Sequence, residues 1–331
     1  MNRSQNNSYA GLVDERRATA FIVIETIFLV CDIYLILALL YYAATKLATS
    51  LQGVGSRTME RRKLILFVLV VYFALTSVGK FALAQWIYYI SPEVVTKRYC
   101  ATFSLVFQVF NTTGLISLYS FLWLRQYTLY LEPHLRHYST VCIIRFSRVL
   151  LAVIIIIGTA SLIGVILSNR EENFSVIEGS NACLLTTEST LNSVVIYTGY
   201  SVIIILQACI LSLFVHILRK YQASMRVNLE GSGSSMDERI HRLVRNCTIA
   251  AAISAVSDVT AIILRMILRG NIAEFTIFTI WDIDAFINLT CTILCFSNWK
   301  EILWPWPDRT EKGAEQAQIS RISGATVSTN T

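Results

Sequence analysis

Residues 149–167 read VLLAVIIIIGTASLIGVIL and contain no charged residue. A helix of about 20 apolar residues crosses the roughly 30 Å hydrocarbon core of a bilayer. In lipid the backbone polar groups must pair within the segment, which favours a helix. Six other runs of similar character lie at residues 19–45, 64–90, 100–123, 191–218, 247–268 and 275–296. The sequence therefore predicts an all-α fold, a seven-transmembrane helix bundle over residues 19–296.

The composition places the chain in a lipid bilayer. Of its 331 residues, 54% are hydrophobic and only 15% are charged, whereas a soluble protein has about 25% charged residues. So much apolar surface excludes a disordered chain and a soluble globular one. We expect a multi-pass protein of the plasma membrane. The formal net charge of +6 arises from basic residues in the loops and does not indicate a nucleic-acid partner.

The distribution of Lys and Arg predicts the orientation. The loops after spans 1, 3 and 5 and the C-terminal tail hold 19 of the 28 basic residues, and the N-terminus and the other loops hold 7. Basic residues accumulate on the cytoplasmic side of membrane proteins. We therefore expect the N-terminus outside and the C-terminus in the cytoplasm. Asn2, Asn6 and Asn173 begin Asn-x-Ser sequons on the outer side and are predicted glycosylation sites.

Three shorter segments flank the bundle. Residues 1–18 are polar and are expected to form an extracellular N-terminal segment. Residues 297–308 place Trp299, Ile302 and Leu303 on one helical face, which predicts a short interfacial helix after span 7, with an unstructured stub as the alternative. Residues 309–331 are rich in Ser, Thr and Gly and are expected to form a disordered cytoplasmic tail.

Two cysteines lie on the predicted outer side. Cys100 opens span 3, and Cys183 lies in the long loop between spans 4 and 5. Both face the oxidising compartment, where a disulfide between them is chemically favoured. The other six cysteines are expected to pack as small apolar side chains. No motif for a metal site, a cofactor site or a catalytic nucleophile occurs, so we expect no cofactor and no enzymatic activity.

Seven spans, an outside N-terminus and the pair Cys100 and Cys183 resemble the rhodopsin-like G-protein-coupled receptors. Arg125, 25 positions after Cys100, matches the arginine that ends helix 3 in that family. Asn288 matches the asparagine of the family's Asn-Pro-x-x-Tyr motif. The residues on either side of Arg125 differ from the family's acidic and aromatic ones, and no span contains a proline.

The resemblance implies a receptor that binds an unknown extracellular ligand and passes a conformational change to a heterotrimeric G protein. It also implies that Arg125 contacts the G protein, and that the basic ends of spans 5 and 6, with Arg219 and Arg242, frame its cleft. Without the acidic neighbour, either the resting state is less restrained or another acid, such as Glu238, restrains Arg125. A receptor that has lost coupling is one alternative. Another is a seven-helix transporter or channel that uses the buried charges Lys80, Asp32, Asp258, Asp282 and Asp284.

Charged side chains inside a span cost at least about 2.5–3.5 kcal/mol on insertion scales and therefore face the bundle interior, pair, or mark a site. At about 100° per residue, Glu25 and Asp32 share a helical face, whereas Asp282 and Asp284 point in opposite directions. We expect Lys80 to pair with Asp284 or with an acid of span 1. Such a pair is structural, contacts a charged ligand, or belongs to a proton or ion path.

Other polar positions follow from the same helical spacing. The predicted interior stripe of span 7 is Asp284, Asn288, Cys291 and Cys295. The polar residues expected to be buried for structural reasons are Asp32, Asp258, Asp284 and Asn288. The predicted ligand-binding residues are Lys80, Gln85, Gln108, Asn111, Trp281 and Asp282.

Overall fold

A computed structural model of the chain describes most of the predicted membrane domain. The described residues are 3–47, 57–89, 96–131, 141–168, 174–176, 183–185, 190–227, 235–268, 274–296 and 299–304. The predicted sites Asn2 and Asn173 and the tail at 309–331 lie outside them. So do the side chains of Asn6, Cys183, Glu238 and Arg242.

Seven long helices follow one another along the described chain. They are α1 (Arg3–Tyr42), α2 (Arg57–Tyr89), α3 (Lys97–Leu131), α4 (Val141–Ser168), α5 (Thr190–Val227), α6 (Ser235–Leu268) and α7 (Glu274–Leu294). A π-helical turn, Ala43–Leu47, continues α1, and the short helix α8 (Trp299–Leu303) follows α7. Between α4 and α5, the three-residue strands β1 (Phe174–Val176) and β2 (Cys183–Leu185) pair in antiparallel register. Each predicted apolar run coincides with one long helix, so the predicted helical class is confirmed, with this small hairpin added.

Five of the seven helices carry the apolar length that a bilayer requires within the described residues. Five contain a segment long and apolar enough to cross a membrane, namely Ile22–Thr45, Leu64–Trp86, Lys97–Leu131, Val141–Leu167 and Leu243–Ile267. The described part of α5 has a shorter apolar stretch, Ser201–Ile217. Large aliphatic side chains point away from the protein, with Val256 66% and Ile267 64% exposed. Such faces need lipid around them, and the chain is a membrane-embedded protein.

The seven helices form a closed ring. Each helix packs on the next along the chain, and α7 packs back on α1 and α2. Helix α3 contacts α2, α4, α5 and α7, so it is the central element of the bundle. The apolar core contains the fully buried side chains of Leu39, Val70, Phe121, Phe214 and Leu289. Polar side chains at the same depth therefore face other helices instead of lipid.

Two glycines allow α3 to approach its neighbours. A Cβ atom on Gly114 of α3 would lie 2.8 Å from the Thr76 Oγ1 of α2. A Cβ atom on Gly158 of α4 would lie 2.5 Å from the Ile116 Cγ1 of α3. Small residues at such positions let helix backbones pack closely in membranes. This packing fixes α3 between α2 and α4.

Helix α8 packs against the bundle. The side chain of Ile302 is fully buried, and Trp299 and Leu303 pack against the core on the same face, as predicted. The Tyr34 hydroxyl of α1 donates a hydrogen bond of 2.6 Å to the Leu303 carbonyl. The helix is shorter than the predicted 297–308, because it spans Trp299–Leu303 and residues 305–308 lie outside the described residues. At the other end of the chain, the predicted N-terminal segment at 1–18 is helical from Arg3.

Candidate functional site

The charged and polar side chains of the interior form two clusters. The Lys80 cluster joins α1, α2, α3 and α7 and contains Glu25, Asp32, Ser77, Lys80, Asn111 and Asp282. The Asp258 cluster joins α3, α5, α6 and α7 and contains Tyr119, Gln207, Ser254, Ser257, Asp258, Asp284 and Asn288. All are buried except Asn111 and Ser257, which are half-buried.

Lys80 is the cation of the first cluster. Its Nζ lies 3.3 Å from the Asp282 Oδ1, and the two form a buried salt bridge. The same Nζ donates to the Asn111 Oδ1 at 3.2 Å and to the Trp281 carbonyl at 3.4 Å. An ammonium has three N–H donors, and three oxygen partners surround this one. The Phe107 ring lies 5.8 Å from the Nζ on a further side.

The predicted partner of Lys80 was wrong. The ammonium pairs with Asp282, not with Asp284 or with an acid of the first helix. The predicted opposite directions of the two α7 aspartates are confirmed, since Asp282 contacts α2 while Asp284 accepts from α6. Helical spacing gives the angle between two residues of one helix, but the side of α7 that faces α2 follows from packing.

Two further carboxylates approach Lys80 from α1. Glu25 and Asp32 are both buried, and their predicted common face is confirmed. The Ser77 Oγ donates a 2.5 Å hydrogen bond to the Asp32 Oδ2. Glu25 faces Lys80 of α2 and Thr279 and Asp282 of α7, and neither of its carboxylate oxygens makes a well-formed hydrogen bond. Three carboxylates therefore surround a single ammonium.

The Asp258 cluster is organised around Asn288. The Asn288 Nδ2 donates to the Asp258 Oδ1 at 2.6 Å and to the Asp284 Oδ2 at 3.3 Å. The Ser257 Oγ donates to the Asp284 Oδ1 at 2.6 Å, and the Ser254 Oγ donates to the Asn288 Oδ1. The predicted interior stripe of α7 is confirmed, because Asp284, Asn288, Cys291 and Cys295 are all buried.

The same network continues to α3 and α5. The Tyr119 hydroxyl donates to the Asp258 Oδ2 at 3.0 Å and accepts from the Gln207 Nε2 at 3.2 Å. The Gln207 Oε1 has no hydrogen-bond partner, and Gln207 and Ser254 line a small cavity between α3, α5 and α6. Four helices are thus linked by side-chain hydrogen bonds. Among the described residues, no Lys or Arg forms an ion pair with Asp258 or Asp284.

Arg125 lies at the opposite end of the bundle from the Lys80 cluster. Its Nη2 donates a 2.8 Å hydrogen bond to the carbonyl of Cys295, just past the end of α7. The Cys247 Sγ of α6 lies 3.6 Å from the same carbonyl oxygen. The predicted position at the end of helix 3 was wrong, because α3 continues to Leu131 and the side chain of Arg125 is half-buried. No helix breaker occurs before Pro133, so α3 extends past the apolar run.

The remaining predicted ligand contacts are spread over several helix interfaces. The Gln85 Nε2 donates to the Thr26 Oγ1 at 2.7 Å, and the Gln108 Nε2 donates to the Ser104 Oγ at 3.0 Å within α3. Trp281 is buried, with the Arg265 guanidinium 5.7 Å from its ring centre. Of the six predicted residues, the structure joins Lys80, Asn111, Trp281 and Asp282 through contacts of the ammonium. Arg219 is exposed on α5.

Sequence reasoning missed the hydroxyl and amide partners of the carboxylates. These residues are Ser77, Tyr119, Gln207, Ser254 and Ser257. Ser254, Ser257 and Asp258 are spaced three and four residues apart on α6, which places them on one helical face. That spacing was the available signal for α6, whereas the sequence contains nothing that distinguishes Tyr119 from its other tyrosines.

The described residues also define the state of the cysteines and of possible metal ligands. Cys100 is disulfide-bonded, and the free cysteines are Cys31, Cys142, Cys209, Cys247, Cys291 and Cys295. In the described part of the chain, no group of three or more His, Cys, Asp or Glu side chains is arranged to hold a metal ion.

No model of a known protein family matches the chain, and no characterised protein matches it.

Proposed function

We propose that the chain is an integral membrane receptor of the G-protein-coupled type. In this proposal seven helices span the plasma membrane, with the N-terminus outside and the C-terminus in the cytoplasm. The hydrogen bond from Arg125 to the Cys295 carbonyl carries the proposal. The arginine that resembles the family's coupling residue is held against the end of α7, so it reaches a cytoplasmic partner only after this contact opens.

The Asp258 cluster supports a two-state mechanism. Its hydrogen bonds connect α3, α5, α6 and α7, the four helices whose cytoplasmic ends would frame a G-protein cleft. A ligand shifts such an equilibrium only if it binds the two states with different affinity. An extracellular ligand that displaces α7 at Asp282 would alter the position of Asn288 and, beyond it, the carbonyl that holds Arg125.

The covalent features of the receptor belong to the same proposal. A disulfide between Cys100 and Cys183 is supported by the bonded state of Cys100 and by the free state of the six other described cysteines. Glycans on Asn2, Asn6 and Asn173 and a disordered tail at 309–331 remain predictions. Arg219 and Arg242 complete the proposed coupling surface.

Constitutive G-protein activation tests the proposal without knowledge of the ligand. Arg125→Ala and Arg125→Lys are compared with the parent chain at matched surface levels, and Arg148→Ala is the control because Arg148 is exposed on α4. We expect Arg125→Ala to lower basal activation because it removes the proposed G-protein contact, Arg125→Lys to lower it less, and Arg148→Ala to have no effect. Signalling by both Arg125 variants at the parent's level would refute the assigned role of Arg125.

The surplus of buried carboxylates supports a second candidate function, a proton-coupled or ion-coupled transporter. Among the described interior residues, Lys80 is the only buried ammonium beside Asp32, Asp258, Asp282 and Asp284. Intramembrane acids often mark proton or ion paths. Voltage-clamp recording of the expressed chain distinguishes the two functions. A pH-driven current that Asp258→Asn abolishes would favour transport over signalling.

A further inference from the structure

The Lys80 cluster has more negative charge than its cation neutralises. Lys80 donates hydrogen bonds to Asn111 and to the Trp281 carbonyl and forms a salt bridge with Asp282. With every carboxyl ionised, Glu25, Asp32 and Asp282 would carry three negative charges against one positive charge. Charges removed from water are unfavourable unless they are paired and hydrogen-bonded, so this ionisation state is not stable in the bundle.

Glu25 is the carboxyl that lacks a partner. Its side chain is 1% exposed, neither oxygen makes a well-formed hydrogen bond, and the one neutral donor beside it is the Thr279 hydroxyl of α7. Asp32 differs because Ser77 donates to it at 2.5 Å. Asp282 differs because it pairs with Lys80. A buried carboxyl of this kind is stabilised by a ligand that supplies a donor, a positive charge or both.

We propose that Glu25 and Asp282 together bind one exchangeable proton. The proton binds to a carboxylate oxygen of Glu25, and the resulting O–H group donates a hydrogen bond to Asp282. Asp282 stays ionised and keeps its salt bridge with Lys80. The proton comes from water and returns to water, so no other bond forms or breaks. One ligand thus supplies the missing donor of Glu25 and removes one of the three negative charges.

The neighbouring groups favour a proton over a larger cation. The described residues contain no arrangement of three acidic, His or Cys side chains that could hold a metal ion. Facing the site, α1 contributes Asp32, α2 contributes Lys80 and α3 contributes the neutral Asn111, while Asp284 of α7 is directed at α6. A proton needs no coordination shell, and a single carboxyl can bind it in this packed interior.

Glu25 lies near one end of the apolar segment of α1. Glu25 is the fourth residue of the apolar segment Ile22–Thr45, so it lies about 4.5 Å along the helix from the start of that segment. Its partner Asp282 belongs to α7, which packs directly on α1. Loss of the proton leaves two neighbouring carboxylates on adjacent helices. The α1–α7 contact is therefore strongest at low pH and weakens as the pH rises.

Infrared spectroscopy of the purified full-length chain in lipid nanodiscs tests the site without a signalling partner. At neutral pH, where exposed glutamates are ionised, we expect a carbonyl band of a protonated carboxylic acid that shifts when the chain contains ¹³C-labelled glutamate and disappears in Glu25→Gln. We also expect the Tm of the parent chain to fall as the pH rises and that of Glu25→Gln to fall less steeply, because the other buried carboxyls remain. The exposed Glu301→Gln variant is the control and should behave as the parent.

Three results would overturn the proposal. One is the absence of a glutamate-dependent band at neutral pH, where exposed glutamates are ionised. Another is a band that persists in Glu25→Gln, and the third is a Tm that follows the concentration of sodium at constant pH, which would indicate a cation site. If Glu25→Gln does not fold, the isotope shift in the unmodified chain decides alone. None of these readouts involves a G protein, so the proton site and the receptor proposal are tested separately.

Discussion

The two interior clusters hold negative charge by different means. In the Asp258 cluster every carboxylate oxygen accepts a hydrogen bond, from Asn288, Tyr119 or Ser257, and no described cation is paired with it. In the Lys80 cluster the ammonium supplies a charge, but only one carboxylate oxygen, on Asp32, accepts a hydrogen bond. Donors without a cation stabilise one cluster, and a cation with few donors stabilises the other.

This difference indicates how each cluster responds to a change. Removal of one donor from a hydrogen-bonded network leaves one buried acceptor unsatisfied, at a cost of about 1–3 kcal/mol, while the other donors still contact the acids. An ion pair with few other donors depends on one residue, since the partner becomes an uncompensated buried charge. Helix α7 takes part in both clusters through Asp282 and Asp284. Changes on its two sides should therefore have effects of very different size.

The largest effect is expected for Lys80→Met. Removal of one member of a buried ion pair costs about 3–5 kcal/mol, so we expect little folded protein at the cell surface and a much lower Tm. The double variant Lys80→Met with Asp282→Asn should recover part of the loss, because it removes the uncompensated charge as well. The exposed Lys300→Met is the matched control. Equal Tm values for the single variant and the parent would show that Lys80 is not the residue that neutralises the cluster.

Some features of the two clusters could be predicted from the sequence. The helices followed from apolar length, and the opposite directions of Asp282 and Asp284 followed from the pitch of one helix. The common face of Glu25 and Asp32 followed in the same way. Each of these predictions concerns a single helix, for which the sequence contains the needed geometry.

Contacts between helices were not predictable in the same way. The pairing of Lys80 with Asp282 depends on the rotation of α2 and α7 about their axes, which packing sets and hydropathy does not. The contact of Arg125 with the Cys295 carbonyl depends on where α3 and α7 end. Helix ends are poorly marked here, because neither Gly nor Pro lies near the end of α7 within the described residues.

An intermediate effect is expected for Asn288→Ala. The side chain donates to both Asp258 and Asp284. Its removal leaves one oxygen of each carboxylate without a donor, while the other oxygen keeps its hydrogen bond. Loss of a partner for a buried acceptor costs about 1–3 kcal/mol. We expect a lower Tm than that of the parent but a higher one than that of Lys80→Met. Thr290→Val on the same helix is the control, because Thr290 bonds only to its own helix.

The smallest effect is expected for Tyr119→Phe. The change removes one donor to Asp258 and the acceptor for Gln207, but it keeps the aromatic ring and its packing on α3. A typical hydrogen bond contributes about 0.5–1.5 kcal/mol, and Asp258 keeps its bond from Asn288. We therefore expect a small decrease in Tm. In the receptor proposal, basal G-protein activation should rise, because the link from α3 and α5 to α6 is weakened.

Tyr127→Phe is the control, since this ring stacks on Trp123 outside the cluster. A decrease in Tm as large as that of Lys80→Met would show that the donors of the Asp258 cluster do not act independently, and the contrast between the two clusters would then fail.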